Sequence, residues 1–156
     1  RRTDASERLL SGSLLPVLRI DHPRGLFGWR TEELVAKLTD DPLQQEALQA
    51  FLVRVYHDLR NLGDTAAQRA LNYAATSAAQ AAAVFQDVVA REMQLENIEV
   101  APSASCRLHS DCWDVKLKFF DPENSRRARL IYRFSVDVAE LLPVALGPPK
   151  RWSVSG

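Results

Sequence analysis

The apolar positions of this chain change period partway along it. Between Thr31 and Met93 they recur at helical steps of three and four, whereas after Asn97 they alternate, which is the period of a strand. Thr31 followed by Glu32 and Glu33 places a capping hydroxyl and two acids at a helix start, where orphan amides and the positive dipole end favour them. The pattern predicts a short helix over residues 31–38. Asp40-Asp41-Pro42 repeats the signal, and Leu48, Leu52, Val55, Leu59 and Leu62 then form one stripe that Gly63 ends, predicting a helix over residues 42–62. Asp64 or Thr65 caps a third predicted helix over residues 65–93, with Leu71, Ala74, Ala78, Ala82, Phe85 and Val89 along its stripe. Its many alanines make it a strong helix former and a thin one, so a neighbour packs closely. The two long helices are expected to form an antiparallel hairpin, with Phe85 filling space where they diverge.

In the second half, Trp113, Val115, Leu117 and Phe119 point one way, and Cys112, Asp114, Lys116 and Lys118 the other. Asp121-Pro122-Glu123-Asn124-Ser125 reads as a turn. Beyond it Leu130, Tyr132, Phe134 and Val136 alternate with Arg129, Arg133 and Ser135. Strands over residues 112–120 and 127–138 therefore form a hairpin with one apolar face, and residues 98–100 and 144–146 supply further strands. The predicted fold is α+β, an antiparallel helical hairpin packed on a small antiparallel β-sheet, as a single domain over residues 31–156. Residues 1–30 read as a linker or extension. The polar start without an initiating Met leads to the expectation of a domain excised from a larger protein.

The chain has 156 residues, 46% of them apolar, and no apolar run near the roughly 18 residues a membrane span needs. Lys plus Arg and Asp plus Glu both total 20, so no global charge favours nucleic acid. Locally, Lys116, Lys118, Arg127, Arg129 and Arg133 line the polar side of the hairpin, relieved by Asp114 and Asp137. That side is either an ordinary solvated face or a docking surface for an acidic peptide or partner domain. Arg69, Asn72 and Tyr73 pose a similar choice between ligand contact and bridging to the sheet.

The run Cys106-Arg107-Leu108-His109-Ser110-Asp111-Cys112 holds both cysteines and one of the three histidines. Two thiolates and an imidazole, each separated by two residues, suit zinc, with Asp111, Asp114, His22, His57, water or a second subunit as the fourth ligand. The alternatives are semi-buried small hydrophobes or a disulfide, with His109 a solvent-facing loop residue. Two isolated cysteines do not make a secreted framework and no signal peptide opens the chain, so a cytoplasmic location is expected. A thiol nucleophile at Cys106 or Cys112 with His109 as base is the catalytic reading of the same run. No Gly-x-Ser-x-Gly elbow, phosphate loop or His-Glu-x-x-His is present.

A further set of segments carries a resemblance. Tyr56-His57-Asp58-Leu59-Arg60-Asn61-Leu62-Gly63, Arg69-Ala70-Leu71-Asn72-Tyr73-Ala74-Ala75-Thr76, Cys106-Arg107 with Ser110-Asp111-Cys112-Trp113-Asp114-Val115-Lys116-Leu117, Phe119-Phe120-Asp121-Pro122-Glu123-Asn124, and Arg133-Phe134-Ser135-Val136-Asp137-Val138 are quoted in chain order. Together they resemble the C-terminal domain shared by PatA and PatG type maturation proteases of cyanobactin biosynthesis, over roughly residues 48–152. The chain departs from that pattern at Leu108, where proline is usual, at Ser77, which replaces an asparagine, and at His109, in a variable position. The resemblance implies a domain that follows a subtilisin-like serine protease domain and has no established activity of its own. The protease triad has no match here, so its chemistry is not carried over. The expected function is a noncatalytic accessory domain in ribosomal cyclic-peptide biosynthesis, zinc-stabilised and contacting the parent protease domain, the precursor peptide or a second copy of itself. No nucleic acid or membrane partner is expected. The alternative is a metal- or thiol-dependent peptide-modifying enzyme centred on Cys106, His109 and Cys112.

Overall fold

The computed structural model describes residues 2–8, 12–18 and 30–155. His22 and the cluster Leu26-Phe27-Gly28-Trp29 lie outside the described residues. Within the stretch expected to be a linker, β1 (Arg2–Arg8) and β2 (Leu14–Leu18) pair as an antiparallel hairpin.

Helix α1 (Thr31–Leu38) matches its predicted span. Helix α2 (Pro42–Val53) starts where expected, with Asp41 Oδ1 accepting from the Leu43 amide at 3.0 Å and proline in the first turn. It does not run on as α-helix to residue 62. Arg54–Asp58 form a π-helical turn, with the Leu59 amide donating to the Arg54 carbonyl at 3.1 Å, and the chain then reverses through Arg60 and Gly63, both left-handed. Helix α3 (Ala66–Thr76) carries a complete capping box: Thr65 Oγ1 accepts from the Gln68 amide at 3.2 Å, and Gln68 Oε1 accepts from the Thr65 amide at 3.4 Å.

The predicted continuous helix over residues 65–93 is divided. Ser77, at φ −71° and ψ 87°, ends α3 and starts α4 (Ala78–Ala90). Alanine-rich propensity favours one rod, but the two halves have different partners, so tertiary packing overrides it. Helix α3 lays Ala70, Leu71, Ala74 and Ala75 on the sheet, while α4 turns Val84, Phe85 and Val88 toward α2. The expected two-rod hairpin is therefore a three-part helical layer in which α4, not α3, pairs with α2.

The main sheet is antiparallel: β3 (Gln94–Pro102), β4 (Cys112–Phe120) and β5 (Arg129–Asp137) lie side by side. The far edge of β5 is shared by β6 (Val144–Ala145), which pairs Val136 and Asp137, and β7 (Lys150–Val154), which pairs Arg129 to Arg133. Among the described residues strand β3 pairs only with β4, and its register shifts between Leu95 and Asn97. Arg54 satisfies the carbonyls at this bulge, donating to Leu95 O at 3.3 Å and Glu96 O at 2.9 Å.

Helices and sheet meet over a row of rings. Phe51, Phe85, Phe119 and Tyr132 follow one another with centroids 5.1, 6.0 and 6.1 Å apart, the last two contacts edge to face. Phe85 thus fills the junction of α2, α4 and β4. Leu48, Leu52, Val55, Leu71, Val115, Leu117, Phe134 and Val136 complete a buried core.

Candidate functional site

The cysteine loop hangs from the start of β4. Its base is fixed by the Ser103 amide donating to Cys112 O and the Val138 amide donating to Asp111 O, both at 2.8 Å. Cys106 and Cys112 are joined in a disulfide with Cα atoms 5.5 Å apart; Cys112 is buried and Cys106 exposed. His109 stands on the exposed turn with φ 66°. In this arrangement neither sulfur is a thiolate, the form that zinc binding or nucleophilic attack requires, so either chemistry needs the reduced pair. The oxygens proposed beside them have other partners: Asp111 accepts from Trp113 Nε1 at 2.7 Å and Asp114 from Ser135 Oγ at 2.6 Å. Among the described residues, no three His, Cys, Asp or Glu side chains stand together as a metal-holding group. Asp137 is held below the usual carboxylate range by the Ala139 amide and then by the Ser110 hydroxyl, which ties the loop to β5.

By strand alternation Lys116, Lys118, Arg129 and Arg133 lie along one face of the β4–β5 hairpin, whereas Arg127 sits in the turn before β5 and donates to Arg91 O at 3.0 Å; each of the five meets a carboxylate. Lys116 pairs with Glu99 at 2.8 Å, Lys118 and Arg129 with Glu96 at 3.1 and 3.2 Å, Arg127 with Asp121 at 2.8 Å, and Arg133 with Asp114 at 3.5 Å. Hydrogen bonding from Lys118, then from Arg129, lowers the Glu96 pKa. Glu96 and Glu99 come from β3, whose pairing with β4 was not placed by periodicity. The face is a cross-strand ion-pair lattice with Trp152 and Val154 exposed at 38% and 40% beside it. Arg133 lies over the Trp152 ring, 5.9 Å from its centroid.

The other singled-out residues also bind the fold together. Arg69 donates to Val138 O at 2.7 Å and Glu140 O at 2.5 Å, fastening α3 to the chain after β5. Asn61 is buried, accepts from the Gly63 amide at 3.1 Å and donates to Gln68 O at 3.3 Å. Gly63 has φ 80°, and a Cβ there would lie 2.9 Å from Asn72 Nδ2. Asn61, Gly63, Gln68, Arg69 and Asn72 therefore form the corner between the π-helical turn and α3.

One polar cluster had no counterpart in the sequence reading. Tyr132 donates to Asp87, which also accepts from Arg91 at 2.9 Å and Arg151 at 3.0 Å. Burial alone would raise the Asp87 pKa; the hydrogen bonds from Tyr132, Arg91 and Arg151 outweigh it and leave the pKa lowered. Burial, then the bond to Asp87, raises the Tyr132 pKa, so the phenol stays protonated and serves as a fastener between α4 and the sheet. Only the Asp87, Arg91 spacing of four on a helix was visible as a signal.

The concave surface of interest is a groove of about 390 Å³ between α2 and the beginning of β3. Ala47 and Ala50 leave it open, Phe51, Phe85 and Phe119 floor it, and Leu43 and Glu46 stand at its mouth. Its volume lies within the range of ligand pockets, roughly 300–1,000 Å³. It is lined mainly by apolar side chains and brings together no nucleophile and base.

An α+β domain whose signature residues build its corners, loop base and ion-pair lattice matches one family model, PatG C-terminal, over residues 39–152, and the chain belongs to that family. A solved structure of the PatG domain of unknown function is 46% identical, with a TM-score of 0.77 over 99% of this chain. This chain spans 61% of the length of that one. A search of the curated proteins found no match. Among the described residues, no helix is long and apolar enough to cross a membrane.

Proposed function

We propose that this chain is a noncatalytic accessory domain of a PatG-type protein, working beside a subtilisin-like protease domain in ribosomal cyclic-peptide biosynthesis by assembling or holding its partners. The observation that carries this reading is the use to which the reactive side chains are put. The cysteines are bonded to each other, the sheet cations are paired, and Asp87 and Tyr132 join layers. What remains is contact surface: an apolar groove and a sheet face where Trp152 and Val154 are exposed among Lys118, Arg129 and Arg133. The sheet face is the surface offered to the parent protease domain or the precursor peptide.

The test is deletion of the domain from a full-length PatG-type protein, followed by oligomeric mass, precursor cleavage and cyclisation. Loss of assembly or slowed turnover at saturating enzyme supports the reading. Unchanged mass and unchanged rates would overturn it.

A further inference from the structure

The outward face of the main sheet carries one rung that is short of acids. The register sets Glu99, Lys116, Arg133 and Lys150 opposite one another across β3, β4, β5 and β7, so three cations stand in line with a single carboxylate at one end. Like charges directly opposite each other on neighbouring strands are destabilising, so this rung works against the sheet that contains it. Within it only Lys116 is matched, by Glu99 at 2.8 Å. Arg133 Nη1 stands 3.5 Å from Asp114, which accepts its hydrogen bond from Ser135 Oγ, and Arg133 Nε is buried with no hydrogen-bond partner among the described residues. Lys150 is exposed and meets no carboxylate among the described residues.

The next rung is of a different kind. Lys118, Ile131 and Trp152 stand opposite one another there, and beyond them Val154 lies opposite Arg129. Glu96 holds both Lys118 and Arg129. Ile131, with the exposed Trp152 and Val154, leaves an apolar strip beside the two unmatched cations, and Arg133 itself lies over the Trp152 ring. Residues two apart on a strand share a face and lie about 7 Å from each other, which is the step from the cation rung to the apolar one.

We propose that this face binds an extended peptide segment with an acidic side chain two residues from an aliphatic one, the carboxylate between Arg133 and Lys150 and the aliphatic group over Ile131 and Trp152. An extended peptide has the same two-residue repeat as the strands beneath it, so both side chains reach the sheet together. Its carboxylate gives Arg133 an acceptor for its unmatched donor and lies between two like charges. A free inorganic anion would use the cation rung alone, and a nucleic-acid backbone would meet Glu96, Glu99 and Asp114 on the same face. This rests on reading the domain as one that holds a peptide partner, and it names the chemistry of the segment held.

The experiment is isothermal titration calorimetry of the full chain with short capped peptides centred on Glu-Ser-Leu, with every variant checked by thermal melting. Saturable binding is expected, and changing the peptide's glutamate to glutamine or its leucine to serine weakens it roughly tenfold or more. Lys150→Glu weakens binding to a similar degree and melts no lower than the natural chain, because it relieves a like-charge contact on an exposed strand. Trp152→Ala weakens the Glu-Ser-Leu peptide and leaves the affinity for the Glu-Ser-Ser peptide unchanged. No binding at up to about 1 mM peptide overturns the proposal, as does equal affinity for the glutamate and glutamine peptides. Binding that is indifferent to Lys150→Glu, or inorganic phosphate that binds as tightly as the peptide, overturns it too. If no peptide binds while deletion of the domain still impairs the parent protein, this contact fails and the accessory reading stands.

Discussion

Replacing Gly63 by alanine tests whether the family's signature residues build the corner between the π-helical turn and α3. The backbone there is left-handed at φ 80°, a conformation that costs a residue with a Cβ about 1–2 kcal/mol. The new methyl would also lie 2.9 Å from Asn72 Nδ2, closer than real contacts allow, so Asn72 must move. That movement costs no hydrogen bond at Oδ1, which has no partner among the described residues, so the steric part is smaller, about 1 kcal/mol. The sum, about 2–3 kcal/mol, corresponds to a melting temperature lowered by about 5–10 °C in a chain of this size. Thermal unfolding of four proteins separates the parts: the natural chain, Gly63→Ala, Asn72→Ala and the double variant. In the Asn72→Ala background the Gly63→Ala cost is expected to fall to the backbone part alone. A Gly63→Ala variant within about 0.5 kcal/mol of the natural chain would refute the left-handed corner, that being the ordinary range for unremarkable surface changes. An undiminished cost in the Asn72→Ala background would refute the contact.

Reducing the disulfide, or replacing Cys106 by serine, is expected to destabilise the chain by about 2 kcal/mol, the loop-entropy value for so short a loop, with Cys106→Ser insensitive to added reductant in thermal melts; equal melting with and without reductant in the natural chain would contradict the bond. Arg69→Ala removes two charge-assisted bonds to the carbonyls of Val138 and Glu140, and a loss of about 3 kcal/mol in urea unfolding is expected, with lysine restoring less than half. The lowered Asp87 pKa means its contribution to stability is fully present above the carboxylate's unfolded value and is lost as pH falls through the folded one; Asp87→Asn should therefore flatten the acid limb of stability against pH. Burial raises the Tyr56 pKa to about 12, so stability from its neutral form is full below the unfolded tyrosine value near 10 and declines as pH rises from there toward 12, an alkaline loss that Tyr56→Phe should reduce.

What periodicity could read was set by local physics. The alternation from Trp113 to Phe119 and from Leu130 to Val136 fixed the hairpin register because one face is buried and a single-residue slip would expose it. Asp41 and Thr65 marked helix starts because orphan amides need local acceptors, whereas Thr31, expected to cap α1, is its first helical residue and the N-cap Arg30 makes no side-chain cap bond. The break at Ser77 was invisible, since alanine propensity describes a helix without neighbours and the turn follows from packing on two different elements. Strand β7 was not placed by the pattern, because what makes it a strand is pairing with β5, far away in sequence. The cationic face read as relieved by Asp114 and Asp137 alone for the same reason: Glu96 and Glu99 reach it only through the pairing of β3 with β4. At the cysteine loop, spacing alone fits a disulfide and half a zinc site equally well. Only the placement of both cysteines beside one another decided which bond forms in this structure.

The central claim is that this domain contributes contacts and no chemistry of its own. The most direct measurement is mass spectrometry of a cyanobactin-type precursor peptide incubated with the isolated chain, under oxidising and reducing conditions, beside a matched reaction with the parent protease domain. The account predicts that the protease domain converts the peptide while its mass stays unchanged with the isolated chain in both conditions. A new product that forms with the isolated chain and disappears in Cys106→Ser or Asp87→Asn would contradict it.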